Sequence, residues 1–171
     1  MMDFARLSRN WIEWTSLAGM RDVSVSTDDG GIQVGFKSSD QSFDLRQDGD
    51  WWVADKADDR GQPHKNVAKF STFDLAEKYL IWRWSSVTRS GVGAKLLGRH
   101  LHALGQVPNV KVASTELEGA VVLETSDGAA VIPRSIETIF SHLMSRSVHD
   151  IEEMVRDPLC QPGLRHLPPD N

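Results

Sequence analysis

The sequence predicts an α+β fold in which two antiparallel β-meanders carry helices packed against them. Three observations lead there. Between Phe70 and Ser86, apolar side chains recur at Phe73, Ala76, Leu80 and Trp84, with Leu75, Tyr79 and Trp82 beside them, the spacing of a helix with a wide apolar face. On both sides of it lie short segments in which apolar and polar residues alternate, as half-buried strands require. Those segments are joined by turns rich in Asp, Gly and Ser, too short for helical crossovers, so neighbouring strands must run antiparallel.

Residues 3–19 read as a first helix, with Phe4, Leu7, Trp11, Trp14 or Ile12, and Leu17 or Ala18 at helical spacing and Gly19 placed to end it. Residues 22–27 and 32–37 form a hairpin around Asp28-Asp29-Gly30-Gly31, and strands at 42–46 and 51–54 complete the first meander. The stretch 55–69, DKADDRGQPHKNVAK, has almost no large apolar side chain and contains Gly61 and Pro63. It reads as a long exposed loop, either a solvated connector or a binding loop. The central helix follows, with Ser71 or Thr72 as N-cap and Asp74 in the first turn, where a carboxylate suits the helix dipole.

Arg89-Ser90-Gly91-Val92-Gly93 breaks the pattern, and a second helix over 94–104 ends at Gly105 ahead of Pro108. Strands at 110–114, 120–124 and 129–132 make the second meander, which Pro133 closes. Two helices, 135–145 and 148–156, finish one expected domain over residues 1–157. The remaining 158–171 hold four of the seven prolines and read as an irregular tail. A meander followed by a helix occurs twice, at Ile32–Trp84 and Val110–Leu143, the outline of a pseudo-repeat.

Composition narrows the function. The 171 residues are 40% hydrophobic and carry a formal net charge of -5, without the basic excess that a nucleic-acid binder uses to neutralise phosphates. Cys160 is the single cysteine, so neither an intramolecular disulfide nor a multi-Cys zinc cluster can form. The first residues are interrupted by Asp3, Arg6, Arg9 and Glu13, unlike a signal peptide, and no run approaches the ~20 apolar residues of a membrane span. A cytoplasmic protein is expected.

Motifs that carry chemistry are few. Gly91-Val92-Gly93 and Gly98 follow a helix, whereas a dinucleotide loop needs a strand before its glycines. His100 and His102 are two apart and fall on different helix faces. His142, His149 and Glu153 are a conceivable metal set, although acids near a helix start are ordinary dipole companions. Cys160 lies among prolines without a supporting base, and no serine sits in a nucleophile elbow. No catalytic residue, cofactor or metal ligand is assigned.

The most unusual local features are Trp51-Trp52 and Trp82-Arg83-Trp84. Adjacent residues of a strand face opposite sides, so one of Trp51 and Trp52 enters the core. The other is either an interface anchor or covered by the first helix through Trp11 or Trp14. Arg83 is placed to stack between its two neighbouring rings.

The segment DGDWWVAD at 48–55, the helix FDLAEKYLIWRW at 73–84 and the small acidic α+β chain around them resemble the immunity protein 61 family of bacterial polymorphic-toxin systems. The similarity runs from the first strands to the second meander. That family includes an inhibitor of a secreted NAD glycohydrolase toxin. The resemblance implies a non-enzymatic cytoplasmic inhibitor, monomeric when free, that binds a cognate toxin domain and occludes its active site, with no nucleic-acid or membrane partner. A pocket that accepts the two phosphates of NAD should be basic, so an acidic loop suits it. Asp55, Asp58, Asp59, Arg60, Gln62 and His64 are the residues expected to enter the toxin, with Trp51 or Trp52 as a nearby anchor, and the second meander around Glu116 and Glu118 is the fallback. A small enzyme with a dispersed site and a non-inhibitory scaffold or chaperone are the rival classes.

Overall fold

The computed structural model describes residues 2–157, and among them the chain forms five α-helices and eight strands. Helix α1 (Ala5–Leu17) leads into β1 (Ser24–Thr27), β2 (Gln33–Lys37), β3 (Ser42–Asp48), β4 (Trp51–Ala57) and β5 (Pro63–Phe70). Helices α2 (Phe73–Gly91) and α3 (Leu97–Ala103) follow, then β6 (Lys111–Ser114), β7 (Ala120–Thr125) and β8 (Gly128–Pro133). A 3₁₀ turn at Arg134–Ile136 runs into α4 (Glu137–Met144), and α5 (Val148–Arg156) ends the described chain. The expected tail from Pro158, with Cys160, lies outside the described residues.

The two meanders are not separate. All eight strands lie in one antiparallel sheet of order β1-β2-β3-β4-β5-β8-β7-β6, with the meanders joined where Lys69 and Phe70 of β5 pair with Val131 and Ala130 of β8. The central helix begins just beyond that seam. Thr72 is its N-cap, accepting from the Leu75 amide at 3.3 Å. Ser71 instead accepts from the Ala129 amide at 2.8 Å, tying the helix start to β8.

The helices share one face of the sheet. Val34, Phe36, Phe43, Leu45, Trp52 and Phe70 alternate inward and are all buried. Trp84 of α2 lies 4.8 Å from Phe36, 6.0 Å from Phe43 and 5.1 Å from Trp11, each steeply inclined. Helix α1 therefore packs across α2 through Trp11, and α5 closes the other side of α2.

The long exposed loop expected at 55–69 is a correction. Residues 55–57 continue β4, 63–70 form β5, and only 58–62 turn between them. The pattern was hidden because only Ala68 and Phe70 of β5 are buried, while Pro63, His64 and Lys65 are exposed. A strand that buries neither face shows no alternation to read.

Between the helices lies a polar junction. Asn10 is fully buried and donates to Glu152 at 2.7 Å, and Arg156 bonds Asn10 and both oxygens of Glu13. Glu77 of α2 faces the same region and meets Arg6 at 3.4 Å. Burial raises the pKa of Glu77 from 4.5 to about 7, against the attraction of Arg6. The folded chain thus holds this proton more tightly than the unfolded chain, so the associated stability is complete below pH 4.5 and is lost as pH rises through about 7. Glu77→Gln is expected to melt about 2–4 °C above the parent at pH 8 and close to it at pH 4.5, as read by thermal denaturation across that range.

Gly128, the first residue of β8, has no room for a side chain. An added Cβ would stand 2.7 Å from Ser71 Oγ and 3.0 Å from Leu75 Cδ1, against the start of α2. Gly128→Ala is expected to cost about 1–3 kcal/mol in chemical denaturation, whereas Gly49→Ala, with nothing near its Cβ, bears only backbone strain.

Candidate functional site

The hairpin of β4 and β5 leaves part of a strand edge open inside the sheet. Strand β4 pairs with β3 as far as Ala57, but among the described residues β5 meets β8 only at Lys69 and Phe70. The first half of β5 therefore has an open edge. Its pairing with β4 is also irregular, because Lys56 pairs with His64 and Ala54 with Ala68, so residues 65–67 of β5 bulge opposite Asp55. The hairpin forms an arm at the sheet end where β2–β3 and β6–β7 also turn.

Asp58 shapes the arm's tip. Its Oδ1 accepts from the amides of Arg60 at 3.0 Å and Gln62 at 2.9 Å, while its carbonyl accepts from Gly61 at 2.9 Å. Gly61 has φ +72°, a left-handed conformation suited to glycine. Asp59, Arg60, Gln62 and His64 are exposed around this turn. The structure thus brings Asp58, Asp59, Arg60, Gln62 and His64 together, with Asp58 as scaffold.

Asp55 is placed differently. Only 3% exposed, it lies on the sheet face away from the helices, where Arg46 Nε approaches to 3.2 Å and Lys65 Nζ to 3.7 Å. Arg46 also reaches Asp48 at 3.3 Å. Neither Arg46 nor Lys65 carries a local signal in sequence, since only the strand register and the bulge bring them to Asp55.

The tryptophan pair divides as strand geometry requires. Trp52 is buried on the helix side, 6.3 Å from Phe4 and 5.1 Å from Phe73, while Trp51 is partly exposed on the opposite face. Trp11 and Trp14 do not cover it. Phe4, just ahead of α1, and Phe73 pack instead on the inward ring, Trp52, and leave Trp51 on the far face.

A second concavity, of about 290 Å³, lies between α2, α3 and α4 and is lined by Trp82, Leu96, Leu97, Ile139, Arg89 and Arg99 among others. No histidine or carboxylate lines it, so its walls hold no acid–base pair. Arg89, pulled below its ordinary pKa by burial, donates to the carbonyls of Lys95, Val155 and Asp157 and serves to join α2 to the end of α5. His142 Nε2 lies 2.8 Å from the Gly105 carbonyl, and His149 pairs with Glu153 within α5 at 3.4 Å. Among the described residues no three potential metal ligands converge.

The family model for immunity protein 61 matches residues 14–163. The chain belongs to that family. A solved structure titled Rv3902c from M. tuberculosis shares the fold, with TM-score 0.62 and 18% identity over 86% of this chain and 87% of that one. No curated protein matches the sequence. For an immunity protein 61 member, the relevant feature is a surface for a protein partner. No helix among the described residues is long and apolar enough to cross a membrane.

Asp58 and Asp59 are separable by substitution. Asp58→Ala is expected to cost about 1 kcal/mol and to speed amide exchange at Arg60 and Gln62. Asp59→Ala should stay within about 0.5 kcal/mol of the parent and leave those amides unchanged.

Proposed function

We propose that this chain is an immunity protein that binds a cognate toxin domain and occludes its active site, and that the toxin is an NAD glycohydrolase. The observation that carries the reading is the family match over residues 14–163. The chain acts as an inhibitor without catalysis of its own, in the cytoplasm of the cell that makes the toxin. Occlusion asks only for a rigid, exposed element that fits the toxin's cleft, and the β4–β5 arm supports that role.

The docking residues are Asp59, Arg60, Gln62 and His64 at the tip, held in place by Asp58; Trp51, expected as a nearby anchor, stands at the other end of β4, about 20 Å of strand away, and is no part of this patch. Asp55 acts from beneath the arm by holding Arg46 and Lys65, while Trp52 lies at the opposite end of β4, on Phe4 and Phe73. Over 55–65 three acids and three bases cancel, so only the two turn carboxylates, Asp58 and Asp59, favour a pocket built for the phosphates of NAD, and association should slow modestly as salt rises.

Co-expression with the cognate toxin domain is the test, with host survival and cellular NAD measured together. Survival with NAD preserved is the expected result; death with NAD depleted, both chains being soluble, would sink the proposal. Survival with NAD untouched by the toxin alone would keep immunity and discard the glycohydrolase. Asp58→Lys with Asp59→Lys is expected to weaken toxin binding by about tenfold or more by calorimetry, and parent-like affinity would move the interface to the Glu116–Glu118 turn.

A further inference from the structure

Arg89 ties the exit of α5 to the wall of the apolar groove between α2, α3 and α4. Its Nη1 donates to the carbonyls of Val155 at 2.9 Å and Asp157 at 2.7 Å, while Nε and Nη2 reach the Lys95 carbonyl at 3.0 and 2.7 Å. The same side chain lines the groove, so the chain leaves α5 beside it. Asp157 has φ -60° and ψ 153°, the extended conformation that a following proline favours.

The groove is short of apolar cover. Trp82 of α2, Leu96 and Leu97 at the start of α3 and Ile139 of α4 form its walls, and at Gly98 an added Cβ would stand 3.2 Å from Ile139 Cδ1. Leu96 is 41% exposed and Leu97 is half-buried. Helix α3 is itself lightly anchored, since Leu101 is its one buried residue and no side chain caps its start. An apolar cavity of about 150 Å³ already accepts a benzene-sized group, so 290 Å³ has room for a leucine side chain.

The sequence beyond Asp157 matches such a site. From Pro158 to Leu164 it reads PLCQPGL, without a charge, and Leu159 stands two residues from the carbonyl that Arg89 holds, within about 7 Å of extended chain. The family match runs on to residue 163 and so takes in Leu159. The other hollow at this exit is lined mostly by charge, with Arg146, Asp150, Glu153 and Arg156, and suits an apolar segment less.

We propose that the groove between α2, α3 and α4 is the seat of the chain's own continuation, with Leu159 inserted against Trp82, Leu97 and Ile139. Pro158 and Pro162 restrict the backbone before it docks, which lowers the entropy lost on ordering. Docking covers Leu96 and Leu97 and gives α3 a second apolar contact, so the segment works as a strap from α5 onto α3. The inference stands apart from the toxin reading and goes beyond it.

The test uses the full chain with labelled leucine and isoleucine methyls. Nuclear Overhauser contacts are expected from the Leu159 methyls, assigned by their loss in Leu159→Asp, to the Trp82 indole and the Ile139 methyls. Leu159→Asp should also lower the thermal midpoint by about 3–6 °C and speed amide exchange in α3. Leu164→Asp, beyond the family match, should stay within about 1 °C of the parent. Absence of those contacts, or a Leu159→Asp midpoint within about 1 °C of the parent, overturns the proposal. Contacts that arise only between differently labelled copies would give the groove to a second copy of this chain, and contacts at Trp82 and Ile139 that form only on adding the toxin domain would give it to the toxin. Either result overturns the strap and leaves the immunity reading untouched.

Discussion

The packing of Trp84 against three other rings is the contact on which the fold depends. Trp11 comes from α1, Phe36 from β2 and Phe43 from β3, so one indole joins two helices and the first meander. A second ring cluster does the same at the seam, where Phe70 of β5 meets Tyr79 of α2 at 5.2 Å and Phe140 of α4 at 5.8 Å. The seam itself rests on two paired residues of β5, so the helices carry much of the work of holding the halves together. Aromatic side chains suit this because each removes a large apolar area from water at the expense of only two rotatable bonds.

With the helices committed to one face, the rest of the sheet is free to serve other ends. Its opposite face carries Asp44, Arg46, Asp48, Trp51 and Asp55, and the arm extends its far end. An open strand edge invites aggregation, and this one is disguised by the usual devices: a bulge, charged side chains and a proline at the first position of β5. The features that keep the edge from pairing with copies of itself also give it a polar surface for a specific partner.

Charge inside the helix layer is handled in two ways. At the junction of α1, α2 and α5, acids and arginines satisfy one another through Asn10 and Arg156, and Arg89 is spent on backbone carbonyls at the end of α5. These pairings specify how the helices pack.

By itself the sequence determined the elements whose burial is one-sided. The central helix, the first helix, strands β2, β3, β7 and β8 and the split of Trp51 from Trp52 were all legible, because a core-facing stripe imposes its period on the residues. Family membership was legible too, from DGDWWVAD and FDLAEKYLIWRW. Strand β5 was not, since an arm wet on both sides imposes no period, and neither was the single sheet, since two residue pairs at the seam leave no local trace. Only the tertiary structure decided that Asp58 builds the turn while Asp59 faces out, and that Asp55 sits between Arg46 and Lys65. Those relations depend on register and bulge, and such long-range geometry is written in no short stretch of the chain.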